Sequence, residues 1–139
     1  MPLPAKNAPC PCCSGRNFNS CCAAYLAGDP APTPEALMRS RYTAYASGQS
    51  RYIMATTAAE SPHRETDAVA WKRDLDVWSA ATTFLRLDVN HTHIDGDRGE
   101  VHFFATLSRD GRDTSFGERS RFVRRDGRWS YIDGGGAAI

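Results

Sequence analysis

Residues 101–134 read VHFFATLSRDGRDTSFGERSRFVRRDGRWSYIDG. Two Asp-Gly pairs, Asp110-Gly111 and Asp126-Gly127, each lie between arginines and separate runs in which apolar and polar residues alternate. Asp-Gly at such a point is a strong hairpin signal, because both residues tolerate the positive φ of a two-residue turn. A third turn, Asp95-Gly96-Asp97-Arg98-Gly99, precedes them. From about Thr82 to Asp133 the chain therefore reads as four antiparallel strands. The two later turns pair Phe103 with Glu118 and Phe122 with Tyr131. For the first hairpin, a three-residue loop from Gly96 to Arg98 puts Leu85, Leu87 and Val89 on the face of Val101, Phe103 and Leu107. Phe116, Phe122, Trp129 and Tyr131 join that face. A one-residue slip would turn every side chain over. In this register the apolar face also carries His91, His93, Glu118, Ser120 and Asp133.

Upstream, the period changes from two to that of a helix. Thr33-Pro34-Glu35 is a helix start, with Thr as N-cap, Pro at the first helical position and an acid in the first turn. The helix should run to about Ser47 and stop at Gly48, with Met38, Tyr42 and Tyr45 on one apolar stripe. Ser50 reads as the cap of a second, shorter helix carrying Tyr52, Ile53 and Met54. A third helix from about Thr66 presents Val69, Trp71 and Leu75. Helices followed by an antiparallel meander predict an α+β fold, with helices packed on one face of the sheet.

Before the first helix lies a segment of different character, Cys10-Pro11-Cys12-Cys13-Ser14-Gly15-Arg16-Asn17-Phe18-Asn19-Ser20-Cys21-Cys22. It holds all five cysteines of the 139-residue chain. Two cysteine pairs joined by a short loop are how a small segment wraps one tetrahedral metal ion, and Zn²⁺ takes four sulfur donors in closed structural sites. Sulfur ligands also suit iron, so the spacing leaves zinc and iron open. Pro11 stiffens the first pair, and Gly15 supplies the positive φ of a tight return. Lys6 and Arg16 offset part of the negative charge of four thiolates. The segment has few bulky apolar residues beyond Phe18, Tyr25 and Leu26, which speaks against cysteines buried merely as small hydrophobes. The loop between the pairs displays Arg16, Asn17, Phe18 and Asn19, with Phe18 as the expected anchor for a partner. The break Gly28-Asp29-Pro30-Ala31-Pro32 divides the chain into a knuckle, 1–28, and a main domain, 29–139.

This spelling resembles the SEC-C motif, C-P-C-G-S-G followed by a basic and aromatic run and C-C or C-H. In the tail of the SecA translocation ATPase that motif binds zinc and docks the chaperone SecB. The resemblance implies one structural Zn²⁺ held by Cys10, Cys12, Cys21 and Cys22. Cys13 stands where the motif usually has Gly, which leaves Cys12 or Cys13 as the second ligand. It also implies a protein partner at the knuckle, SecB-like or a secretion- or ribosome-associated factor. A second resemblance covers most of the chain. Leu37-Met38-Arg39-Ser40-Arg41-Tyr42, Glu118-Arg119-Ser120-Arg121-Phe122 and Trp129-Ser130-Tyr131-Ile132-Asp133-Gly134 look like the YchJ family of bacterial proteins. Its middle domain is similar to nuclear transport factor 2, implying a cystatin-like cone of helices on a curved antiparallel sheet.

Neither resemblance supplies a reaction, so candidate sites come from residue chemistry. His91 and His93, two apart on a strand, share a face as two metal ligands could, but spacing places no third ligand. Glu118 and Asp133 on an apolar face could act as general base and partner, since burial raises a carboxyl pKa. Ser120 completes that candidate pocket. Such residues make an enzyme or small-molecule binder the alternative to a protein-interaction module. A third reading, RNA or ribosome association, rests on Arg119, Arg121, Arg124, Arg125 and Arg128. The net charge of +1 and the interspersed Asp113 and Asp126 argue for a solvated face instead. No apolar run is long enough to span a membrane. Residues 1–8 lack the apolar core of a signal peptide, so a cytoplasmic protein is expected.

Overall fold

The computed structural model describes residues 2–135. The chain opens with the 3₁₀ turn Phe18–Ser20 and the one-turn helix α1 (Ala23–Leu26). Three helices follow, α2 (Pro34–Ala46), α3 (Ser50–Ala55) and α4 (Ala68–Ala81). The rest is sheet: β1 (Thr83–Asp95), β2 (Arg98–Arg109), the short β3 (Arg112–Asp113), β4 (Phe116–Arg125) and β5 (Arg128–Gly135). The strands are antiparallel in the order β1-β2-β4-β5, with β3 paired to β2.

Local chemistry sets the helix ends. Thr33 Oγ1 accepts from the Ala36 amide at 3.0 Å, and Glu35 pairs with Arg39 one turn later at 2.9 Å. Gly48, at φ +70°, follows the Ser47 cap of α2. Asp67 caps α4 by accepting from the Ala70 amide at 3.0 Å. Ser50 does not cap α3: it lies inside the helix and its hydroxyl donates to Asp76 on α4. Trp71 is buried, whereas Val69 projects into solvent at 79% exposure, so the apolar stripe of α4 begins later than expected.

The core lies where α2 crosses the sheet. Leu37, Met38 and Tyr42 pack on Leu87, Val101, Phe103, Phe122 and Trp129. The helix comes close to the sheet at Gly99 of β2, where a Cβ would fall well inside contact with Pro34 Cγ and 3.3 Å from Trp129 Cζ3. After α3 the chain clips onto β5. Ala58 N donates to Tyr131 O, and Tyr131 N donates to Thr56 O, each at 2.8 Å. That parallel bridge covers part of the sheet edge.

The later hairpins have the expected register, Phe103 opposite Glu118 and Phe122 opposite Tyr131. The first does not. Asp95 pairs with Arg98, so the loop is the two residues Gly96-Asp97. Two irregularities in β1, at Leu85 and at Asn90, then shift the pairing by one residue each. An extra residue in one strand reverses which side chains face the core beyond it. Leu87 and Val89 keep the core side, opposite Ala105 and Phe103, while Leu85 is 59% exposed. Beyond Asn90, His91 and His93 turn to the opposite face, paired with His102 and Glu100. A third irregularity, at Ile132, pairs Asp133 with Arg121 and Gly134 with Ser120. Gly134 and Gly135 are residues of β5.

Candidate metal centre and central cavity

The knuckle is a miniature hairpin folded on its own sulfur atoms. Pro9 bridges Asn17, Cys10 N donates to Arg16 O at 2.9 Å, and Phe18 N donates to Ala8 O at 2.8 Å. Gly15 adopts φ +87° as expected, and Cys13 is also left-handed at φ +62°. A side chain rarely adopts that conformation, which gives a physical reason for Gly at the Cys13 position of the motif. The thiol of Cys13 points away from the other four, exposed, at 3.5 Å from Pro11 O. It also accepts from the Leu87 amide at 3.4 Å.

The sulfurs of Cys10, Cys12, Cys21 and Cys22 are all buried and lie within 4.8 Å of one another. Cys12 and Cys21 are 3.6 Å apart and Cys21 and Cys22 are 3.9 Å apart. A tetrahedron with metal–sulfur bonds of about 2.3 Å has edges of roughly 3.8 Å. The four sulfurs thus have the number, softness and spacing for one metal ion. Buried together, they resist multiple ionisation. The Cys12 and Cys22 thiols donate to Cys10 and hold its pKa far below the ordinary thiol value. Sharing a proton with Cys10 pushes Cys12 up to about 11, and a separate bond between Cys22 and Cys10 pushes Cys22 higher still. A divalent cation removes this conflict, since a coordinating thiol is deprotonated outright.

Groups around the sulfurs come from both parts of the chain. Within the knuckle, Ser14 Oγ lies 3.1 Å from Cys21 Sγ and Arg16 Nη2 donates to the same sulfur at 3.9 Å. From α2, the fully buried Thr43 donates to Cys22 Sγ at 3.4 Å and lies 3.6 Å from Cys10 Sγ. Arg39 Nη1 donates to Cys12 O at 2.7 Å. Thr43 carried no signal in the sequence, because its role depends on the knuckle docking against α2. Phe18 corrects an expectation: it is only 5% exposed and packs among the cysteines, so it is not displayed. Lys6, Arg16, Asn17 and Asn19 form the exposed surface there.

The pocket candidates separate. Glu118 and Ser120 line a cavity of about 580 Å³ between the sheet and helices α2 and α4. Ser120 donates to Glu118 Oε2 at 2.7 Å and the Tyr131 hydroxyl donates to the same oxygen at 3.3 Å. Asp133 lies outside the cavity, bound through two oxygens to Arg121, whose guanidinium holds its carboxyl below the usual aspartate range. His91 and His93 also lie outside, on the far face. The His91 ring meets that of His102 at a tilt of 56°, 4.9 Å between centroids, and His102 Nε2 lies 2.9 Å from Glu100 Oε1. The bulges at Asn90 and Ile132 cause both departures, so a Glu118–Asp133 dyad and a histidine pair in the pocket are excluded by geometry.

Comparison with known proteins agrees with this architecture. The family described as YchJ, middle NTF2-like domain, matches residues 33–134. A UPF0225 protein of Sodalis glossinidius is 39% identical over 132 residues, covering 91% of this chain and 82% of its own. A UPF0225 protein of Deinococcus radiodurans is 42% identical over 127 residues, covering 90% and 87%. The solution structure of a SEC-C motif containing protein from Rhodopseudomonas palustris superposes with a TM-score of 0.82 at 38% identity, over 92% of this chain and 98% of that one. With a four-cysteine knuckle docked on an NTF2-like domain, the chain belongs to the YchJ (UPF0225) family.

Proposed function

We propose that the protein holds one structural Zn²⁺ through Cys10, Cys12, Cys21 and Cys22 and acts in the cytoplasm as a protein-interaction module. The observation that carries this reading is the closed, buried set of four sulfurs. Four thiolates complete a tetrahedral shell, so the ion has no position for a substrate and its effect is to fix the backbone around it. What that backbone displays is polar and basic, with Lys6 and Arg16 beside Asn17 and Asn19. An acidic protein surface, SecB-like or on a secretion- or ribosome-associated factor, has the matching charge. RNA is the poorer fit. Arg121, Arg124 and Arg125 are already paired with Asp133, Asp97 and Glu60, which reduces the positive field offered to phosphates. No helix among the described residues is long and apolar enough to cross a membrane.

Elemental analysis of protein purified without chelators tests the metal: one zinc per chain is expected, and iron or no metal would refute it. Affinity capture from cell extract tests the surface. A partner should be retained by the wild type and lost from Lys6→Glu/Asn19→Glu, which leaves Arg16 at the Cys21 sulfur, while the metal stays bound. The same proteins captured by both would rule the surface out.

A further inference from the structure

The cavity behind the sheet is separate from the sulfur cluster, and its lining has a definite chemical bias. Its walls are aromatic, including Tyr45, Trp71, Trp78, Phe84, Phe116 and Phe122. At about 580 Å³ it falls within the range of small-molecule sites. Glu118 lines it together with the exposed Glu65 and Asp74, the latter 3.8 Å from Arg73 Nε, against the guanidinium of Arg41 and the ring of His63.

The two sides of that charge balance are not equally free. Arg41 is buried, and one of its terminal nitrogens is held by protein groups. Its Nη1 donates to Ile53 O at 3.1 Å, Thr56 Oγ1 at 2.8 Å and Thr57 Oγ1 at 3.3 Å, and its carbon lies 4.5 Å from the Tyr131 ring centroid. His63 is packed on Tyr131 as well, 5.9 Å between centroids. Glu118 has only neutral donors, the hydroxyls of Ser120 and Tyr131, and both reach Oε2. No ion pair among the described residues involves Glu118, and Oε1 is left to accept. The carboxyl group lies flat on Gly134, where any Cβ would collide with it. The chain thus makes room for a carboxylate in an aromatic chamber and, among the described residues, forms no salt bridge to it.

We infer that this cavity binds an organic ammonium, a protonated amine carried on an apolar or aromatic body. The ammonium donates to Glu118 Oε1, and its charge is further stabilised by the negative faces of the surrounding rings. The body replaces water against the aromatic walls. An anion of the same shape meets the unpaired Glu118 carboxylate where the ammonium would sit, so it is rejected there. The inference is independent of the zinc reading, since it uses no residue of the knuckle.

Three probes of one shape test it on the full-length, metal-loaded protein: 1-naphthylmethylamine, 1-naphthalenemethanol and 1-naphthoate. Calorimetry at pH 7 should show the amine binding at least tenfold more tightly than the alcohol, with naphthoate not binding. Amide and indole NMR shifts should concentrate at Trp71, Trp78 and Glu118. Glu118→Gln, which keeps an oxygen for Ser120 and Tyr131, should lower the amine to about the affinity of the alcohol. If that variant fails to fold, the wild-type ranking of the three probes decides alone. Naphthoate binding as well as the amine, amine affinity unchanged in Glu118→Gln, shifts away from the cavity, or no amine binding at millimolar concentration would each overturn the proposal.

Discussion

Replacing Thr43 by valine tests whether the NTF2-like domain helps to hold the metal. Thr43 is 0% exposed, and its hydroxyl stands 3.4 Å from Cys22 Sγ and 3.6 Å from Cys10 Sγ. The hydroxyl has one proton, so it donates to one thiolate at a time. A hydrogen bond to a charged group contributes about 1.5–3 kcal/mol, and at 1.4 kcal/mol per tenfold its loss weakens metal binding by roughly 10- to 100-fold. Valine has the same shape and buries a methyl in place of the hydroxyl, so packing on α2 is retained. The metal-free protein, whose sulfurs carry less charge, loses less. Competition against a chromogenic chelator measures the affinity directly. Thr43→Ser, which keeps the hydroxyl and loses the methyl, should bind metal as the wild type does while unfolding at a slightly lower temperature. Metal affinity within twofold of wild type in Thr43→Val, or an equal loss in Thr43→Ser, would refute the reasoning.

Other outcomes follow from the same geometry. Cys13→Gly should keep the metal and raise the thermal midpoint, since it relieves a left-handed non-glycine residue, whereas Cys21→Ser should weaken metal binding; chelator titration of both variants checks this. Stripping the metal should raise amide exchange across residues 8–24 and leave β2 and β4 protected, because structural zinc contributes about 10–16 kcal/mol in finger peptides and the knuckle has little other core. Gly99→Ala should destabilise by about 1–3 kcal/mol in urea unfolding, since the new Cβ meets Pro34 Cβ at 3.1 Å and Trp129 at 3.3 Å; an unchanged midpoint would show that α2 backs off freely. The Asp133 carboxyl should titrate below 3.8 by NMR, and Arg121→Ala should raise it. Because the folded value is lowered, its contribution to stability is complete above about pH 4 and lost as pH falls through that lowered midpoint.

What could be read without coordinates was local. Thr33-Pro34 marks the start of α2 because a cap and its amide are three residues apart. Asp110-Gly111 and Asp126-Gly127 mark hairpins because the turn conformation belongs to those residues themselves, and the pairs Phe103–Glu118 and Phe122–Tyr131 follow by counting. The cysteine pairs mark a candidate metal site for the same reason: ligands at short separation need only a short loop to converge. What required the tertiary structure was set by contacts between distant segments. The extra residues at Asn90 and Ile132 have no signature of their own. They are accommodated because Val89 and Tyr131 must stay on the core side while the ends of their strands pair as they do, and this carries His91, His93 and Asp133 to the outer face. Phe18 is buried because the knuckle closes over it, and Thr43 meets the sulfurs because α2 packs there, a contact 21 residues from Cys22. Glu118 keeps its place in the cavity through the same kind of constraint, since its strand is paired on both sides and cannot slip without turning every neighbour over.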